Sequence, residues 1–168
     1  MAREAFTEED IRKIREEIEH RRLVVRKEAL EAVKEARAQG DLSENFEYYA
    51  AKKEKNRNES RIRYLERLLR NAEIISDESA SDEAGINSGV EVYFPEEDIT
   101  QTYKLVTSIR GDSLNGYISV ESPLGKALLG HKEGDTVRVV VNPEFSYDAV
   151  IRRIDKNLGE SDDRLRTF

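Results

Sequence analysis

Two carboxylates, Asp41 and Glu44, stand three residues apart in the run Gly40-Asp41-Leu42-Ser43-Glu44-Asn45. In a turn that enters a helix, this spacing lets both acids point the same way. One chemistry open to them is a shared Mg²⁺ site, since Mg²⁺ is commonly held by one or two carboxylates with water and phosphate oxygens completing an octahedron. Two acids alone leave most of that octahedron to other donors. They become useful when delivered to a partner that already holds a metal and a phosphate chain, where they would supply the second ion of a two-metal phosphodiester cleavage. The other chemistry is structural. Asp-x-x-Glu at a helix start is a capping-box variant, with Asp41 bonding the Glu44 amide and Glu44 reaching back. A positive helix N-terminus keeps both acids ionised in either case.

The elements on either side must position this pair. Thr7 is a good N-cap, and Glu8, Glu9 and Asp10 fill the positive first turn of a helix. Apolar residues recur at Ile11, Ile14, Ile18 and Val25, and a shifted stripe continues through Leu30, Val33 and Ala36. Gly40 suits the left-handed position that closes such a helix. Beyond the turn, Tyr48, Ala51, Lys55, Asn58, Ile62, Leu65, Leu69 and Ala72 follow steps of three and four, a heptad seam that is polar at Lys55 and Asn58. So few residues separate the two helices that they must run antiparallel, as a hairpin. A helix of about 33 residues is roughly 50 Å long, so residues 1–75 form an arm with its tip at about 40–46.

Charge divides the chain in the same place. Its 168 residues carry a formal charge of −7, yet residues 1–75 hold 18 basic and 17 acidic side chains, leaving a net −8 for the remainder. Bulk composition therefore excludes a basic nucleic-acid binder. Cys is absent, so disulfides and Cys-based zinc sites are excluded, and a reducing compartment fits. The charged start is no secretory signal, and the apolar run Val137–Val141 is short and broken by Arg138, so a cytoplasmic protein with no membrane partner is expected. Around the tip the balance is locally basic: Arg37 precedes it, and Lys52, Lys53, Lys55 and Arg57 follow with only Glu54 between them. Such residues read either as a solvated helix face or as a phosphate-backbone contact through Arg37, Lys52, Lys53 and Arg57.

Residues 76–88 are small, acidic and without periodicity, and are expected to form a linker. Gly and Pro become frequent beyond it, and 89–155 read as strands. These are Val90–Phe94, Thr100–Ile109, Tyr117–Val120 after an Asn115-Gly116 turn, Thr136–Val141 and Phe145–Ile154, with a short helix from Pro123. A twisted antiparallel sheet with one helix is expected, then a polar, mobile tail over 156–168. Enzyme signatures are largely missing. Gly125-Lys126-Ala127 lacks the P-loop's earlier Gly and its Ser/Thr, and Ser113 lacks a nucleophile elbow. His20 and His131 read as surface or packing residues. The second half reads as a binding module.

The stretch Ala36-Arg37-Ala38-Gln39-Gly40-Asp41-Leu42-Ser43-Glu44-Asn45, continued by Glu47-Tyr48 and Ala50-Ala51, resembles the tip signature of the Gre transcript cleavage factors of bacterial RNA polymerase, the GreA-like branch most closely. Ser122-Pro123-Leu124-Gly125-Lys126-Ala127-Leu128-Leu129-Gly130, followed by Gly134-Asp135, resembles that family's FKBP-like domain. The resemblance implies an α+β fold: an antiparallel coiled-coil hairpin joined to an FKBP-like antiparallel sheet with a short helix. It implies an elongation factor that is not itself an enzyme but enters the polymerase's secondary channel. Asp41 and Glu44 would act there on a shared Mg²⁺ to stimulate cleavage of the backtracked RNA 3′ end. Gly40, Ser43, Asn45 and Tyr48 would support the tip, and Ser122, Pro123, Leu124 and Gly125 would dock at the channel mouth. Phe46 departs from the family, where many relatives carry a small residue, and its ring is expected to pack the turn. Two alternatives remain open: a channel-binding inhibitor of the same architecture, and an FKBP-like chaperone whose hairpin grips clients. The acidic tip disfavours the second, which would call for an apolar one.

Overall fold

The computed structural model describes residues 3–40, 45–156, 158–160 and 162–167. It divides into two compact units, Met1–Arg3 with Ile11–Ala72, and Glu4–Asp10 with Glu73–Phe168.

The first unit is the helical arm. Helix α1 (Glu8–His20) passes through a π-helical turn at Arg21–Val25 into α2 (Arg26–Ala38), and α3 (Phe46–Arg70) returns. The expected seam on α3 faces inward: Tyr48, Asn58, Ile62 and Leu65 are buried, while Ala51, Lys55 and Leu69 are half-buried. On the outgoing strand of the hairpin, the π-helical turn inserts one residue and so rotates α2 by about 100° relative to α1. The inward stripe therefore moves from Ile11, Ile14 and Ile18 to Ala29, Val33 and Ala36. Leu30, expected in that stripe from its spacing, is 47% exposed. The shifted stripe expected from the sequence thus holds at Val33 and Ala36, and Ala29 takes the place expected of Leu30.

Polar side chains lace the middle of the arm. Asn58 Nδ2 donates to the Arg21 carbonyl at 3.2 Å, and its Oδ1 accepts from Arg21 Nη1 at 3.0 Å. The same carbonyl takes the Arg26 N–H that closes the π-helical turn. Glu17 receives Arg61 through two bonds (2.8 and 3.2 Å) and Arg21 through one (2.8 Å). Burial pushes the Glu17 carboxyl up, but the bonds from Arg61 and Arg21 outweigh it and hold the group below its ordinary 4.5. Arg26 grips Glu59 with paired bonds of 2.7 and 2.9 Å.

The second unit is a sheet of five strands in the order β5-β4-β3-β7-β6, from β3 (Gly89–Phe94), β4 (Ile99–Val106), β5 (Tyr117–Ser119), β6 (Thr136–Asn142) and β7 (Phe145–Asp155). A small separate sheet, not foreseen in the sequence, pairs β1 (Glu4–Phe6) with β2 (Ala72–Ile74). The expectation of a wholly antiparallel main sheet needs one correction, because β4 and β5 pair in parallel, Lys104 opposite Tyr117 through Val106 opposite Ser119. Asn115-Gly116 closes only an isolated antiparallel bridge between Asp112 and Tyr117, and not a hairpin of β4 with β5. The chain instead winds through 3₁₀ turns at Ser108–Arg110 and Ser113–Asn115, and Gly116 at φ +82° delivers it back in the original direction. Alternating residues Val90, Val92, Leu105, Val137, Val139, Ala149 and Ile151 form the core with Leu128 of α4 (Pro123–Leu128).

Both segments read as irregular are built into this unit. Within 76–88, Ala84 is buried and exchanges backbone bonds with Gly130 and His131, and Asn87 N–H donates to the Leu105 carbonyl. The tail expected to be mobile contributes Asp163 and Glu160 to a cluster around Arg110, a fully buried guanidinium. Arg110 bonds Asp10 at 2.6 Å, Asp163 at 2.7 Å, Asn87 at 2.7 Å and Glu160 at 3.1 Å. Lys104 also bonds Asp163, and Glu160 accepts from Thr7 Oγ1 at 2.9 Å. Thr7 and Asp10 meanwhile cap α1 reciprocally, Asp10 N–H to Thr7 Oγ1 and Thr7 N–H to Asp10 Oδ2. The tail is polar because its partners are buried charges.

Candidate functional site

The end of the arm is organised by Asn45. Its Oδ1 accepts the Tyr48 N–H at 3.0 Å and so caps α3, while its Nδ2 donates to the Ala36 carbonyl at 2.6 Å in the last turn of α2. One side chain thus satisfies an orphan donor on one helix and an orphan acceptor on the other. Gly40, at φ +118°, lets the chain leave α2. Tyr48 is buried beneath Arg37, whose guanidinium carbon lies 5.5 Å from the ring centroid. Asp41, Ser43 and Glu44 lie outside the described residues. The capping box read from the Asp41 and Glu44 spacing therefore lies outside them too, and the N-cap of α3 is Asn45. The sequence grouped Asn45 with the tip without revealing this pair of hydrogen bonds. The signal was there, since Asn is among the best N-cap residues and sits four residues nearer the helix.

Phe46 does not pack the turn. As the first residue of α3 it is 85% exposed. Among the basic candidates, Arg37, Lys52, Lys53 and Arg57 are all exposed. Arg57 pairs with Glu54 at 2.8 Å on open surface, where such a pair is weak and easily exchanged.

In the sheet unit, Ser122 caps α4 by accepting the Gly125 N–H at 3.1 Å and donating to the Ser119 carbonyl at 2.6 Å. Gly125 is buried, and a Cβ there would lie 1.9 Å from the Ser119 carbonyl oxygen. Its lack of a side chain lets α4 sit against the end of β5. Ser122 and Leu124 are half-buried, which leaves Pro123 as the exposed member of the four residues considered for docking. His20 is exposed, and half-exposed His131 is 3.2 Å from Asp135, so neither occupies a pocket suited to a general base.

The protein's class is thus a two-unit chain in which a helical hairpin is joined to a small mixed sheet with one helix. Comparison with known proteins makes this specific. Residues 5–74 match the family described as "Transcription elongation factor, N-terminal", and 78–155 match "Transcription elongation factor, GreA/GreB, C-term". Transcription elongation factor GreA of Thermoanaerobacter pseudethanolicus is 46% identical over 137 residues, covering 81% of this chain and 87% of that protein. The GreA of Streptococcus pneumoniae serotype 19F is 43% identical over 152 residues, covering 90% and 94%. Among solved structures, the GreA factor homolog 1 (Gfh1) of Thermus thermophilus is 29% identical, covering 91% of this chain and 99% of that one with a TM-score of 0.42. The chain belongs to the GreA/GreB family of transcription elongation factors. Within it the chain is GreA-like.

Proposed function

We propose that the protein binds bacterial RNA polymerase through the secondary channel, with its sheet unit at the channel mouth and its arm inside. It would stimulate the polymerase's own cleavage of backtracked 3′ RNA while cleaving nothing by itself. The observation that carries this reading is Asn45. Because it caps α3 and holds the last turn of α2 at once, the helix does not need Asp41 or Glu44 for its own start. The two acids are left for chemistry with a partner.

The donor chemistry fits Mg²⁺, which prefers hard carboxylate oxygens. Among the described residues no group of three or more His, Cys, Asp or Glu could hold a metal, so an ion at the tip would depend on further donors from the partner. When bound there, Mg²⁺ would orient a water and lower its pKa for attack on the phosphodiester. This chain's part is to supply negative charge through Asp41 and Glu44, to fix the ends of their loop through Gly40, Asn45 and Tyr48, and to offer Arg37, Lys52, Lys53 and Arg57 to RNA phosphates. Pro123, at the exposed start of α4, is the residue best presented for docking.

Cleavage assays on stalled, backtracked complexes test the proposal. Wild-type factor should accelerate cleavage only in the presence of polymerase. Asp41→Asn and Glu44→Gln should abolish the acceleration while leaving polymerase binding nearly intact, since neither residue caps α3. Wild-type rates with both variants would reject the assignment, and a wild-type factor that slows cleavage would identify the channel-blocking inhibitor instead.

A further inference from the structure

Four exposed residues of α3, Phe46, Tyr49, Lys53 and Arg57, follow steps of three, four and four. That spacing puts them along one face of the helix. Two aromatic rings stand nearest the tip and two cations follow along the shaft. Phe46 is 85% exposed and Tyr49 is 52% exposed. A single exposed aromatic is unremarkable on a protein surface. Two in succession on one face, continued by Lys53 and Arg57, form a pattern that serves a particular ligand.

That ligand is single-stranded nucleic acid. Proteins hold it by stacking bases on aromatic rings and by tracking its phosphates with a line of cations. Tyr49 is set for such a role, because its ring meets buried Tyr48 edge-on at 5.5 Å and an interplanar angle of 60°. Tyr48 is in turn fixed under Arg37. Holding Tyr49 in place reduces the entropy lost when a base stacks on it. Arg57 pairs with Glu54, both side chains being well exposed, and a phosphate can displace so weak a partner.

We propose that this face of α3 is a binding surface for the extruded 3′ segment of RNA, with bases stacking on Phe46 and Tyr49 and phosphates lying along Lys53 and Arg57. This rests on the function proposed above and adds to it a base-stacking contact, so that the arm recognises the unpaired bases as well as the charge of the strand.

The test uses the full-length protein and polymerase stalled on templates that give either a long 3′ overhang or none. The RNA carries 2-aminopurine in the extruded segment, and the factor carries Asp41→Asn so that the strand stays intact. The parent factor should quench the 2-aminopurine fluorescence. Phe46→Ala should lose most of the quench, and Phe46→Trp should retain it. With Asp41 restored, Phe46→Ala should raise the factor concentration giving half-maximal cleavage on the long overhang by about tenfold, with little change in the maximal rate. Without an overhang, its affinity for the complex should match that of wild type. Substituting so exposed a ring leaves folding intact, which circular dichroism checks. A quench unchanged by Phe46→Ala overturns the proposal. An equal loss of affinity with and without an overhang also overturns it, by assigning Phe46 to the polymerase wall. Wild-type factor that does not stimulate cleavage on either template would remove the underlying function as well.

Discussion

The two units hold their charges in opposite ways. In the arm, Arg26–Glu59 and Arg22–Glu66 span a seam that water still reaches, while Glu17 takes Arg21 from one turn along its own helix and the buried Arg61 from α3. In the sheet unit, the Arg110 and Asp10 side chains have no exposed surface, and Asp163 has almost none. Accessible pairs contribute about 0–1 kcal/mol each and weaken in salt. Removing one member of a buried pair strands the other and costs about 3–5 kcal/mol. The arm is fastened by many small interactions spread along its length, whereas the sheet unit depends on one concentrated cluster. A single substitution should therefore be tolerated far better in the shaft of the arm than around Arg110.

The most severe way to probe this contrast is Arg110→Met. It leaves Asp10, Asp163 and Glu160 without their shared cation and should destabilise the protein by about 3–5 kcal/mol in urea-induced unfolding. A loss below about 1 kcal/mol would erase the distinction between the units. Asp163→Ala tests the tail's share of the same cluster, and should cost clearly more than a typical surface change of up to about 0.5 kcal/mol. If removing Asp163 has no effect, the tail is an ornament on the sheet unit.

A smaller loss is expected at the polar centre of the arm. Asn58→Ala removes both bonds to Arg21 and should cost about 1 kcal/mol, while the Arg21 carbonyl keeps the Arg26 N–H. A cost as large as that of Arg110→Met would mean that the arm, too, hangs on one point.

The smallest effect concerns pH. Glu17 titrates below its ordinary 4.5 in the folded protein, so its ionised form is favoured by folding. Its stabilising contribution is fully present above about pH 4.5 and is lost as pH falls through the lower folded value. Thermal unfolding of wild type and Glu17→Gln should therefore differ near neutral pH and converge in acid. A gap that widens on acidification would reverse the sign of this linkage.

Much of the architecture follows from local pattern. The heptad run from Tyr48 to Leu69 places the buried side of α3 because, in a two-helix arm, the same residues that are apolar must face the only available partner. Thr7 and Asp10 show the start of α1, Ser122 and Pro123 the start of α4, and strand alternation gives β3, β6 and β7 their inward residues. Other features could not be read this way. The phase of α1 and α2 depends on a π-helical turn whose carbonyl is bonded by Asn58, a residue 37 positions away from Arg21. The direction of β5 depends on two 3₁₀ turns, and Asn115-Gly116 is equally compatible with a hairpin when viewed alone.

At the tip, the residue types Asp41, Glu44 and Asn45 and their order are given by the chain itself, and so are the cations beyond them. Their spacing left open whether the acids capped a helix or were spare for chemistry. Tertiary structure decided where α3 begins, through Asn45, which caps that helix and bonds the Ala36 carbonyl. It decided likewise that Phe46 faces solvent, because Tyr48 takes the buried place beneath Arg37. Around Arg110 the dependence is complete. Asp10, Asn87, Glu160 and Asp163 are ordinary polar residues, scattered through 153 positions of sequence, and they become a buried cluster only when folding removes water from all of them together. Periodicity records which face of an element avoids water, since that is set by neighbours a few residues away. Pairing between distant charges leaves no such periodic trace, because it is set by where separate elements meet.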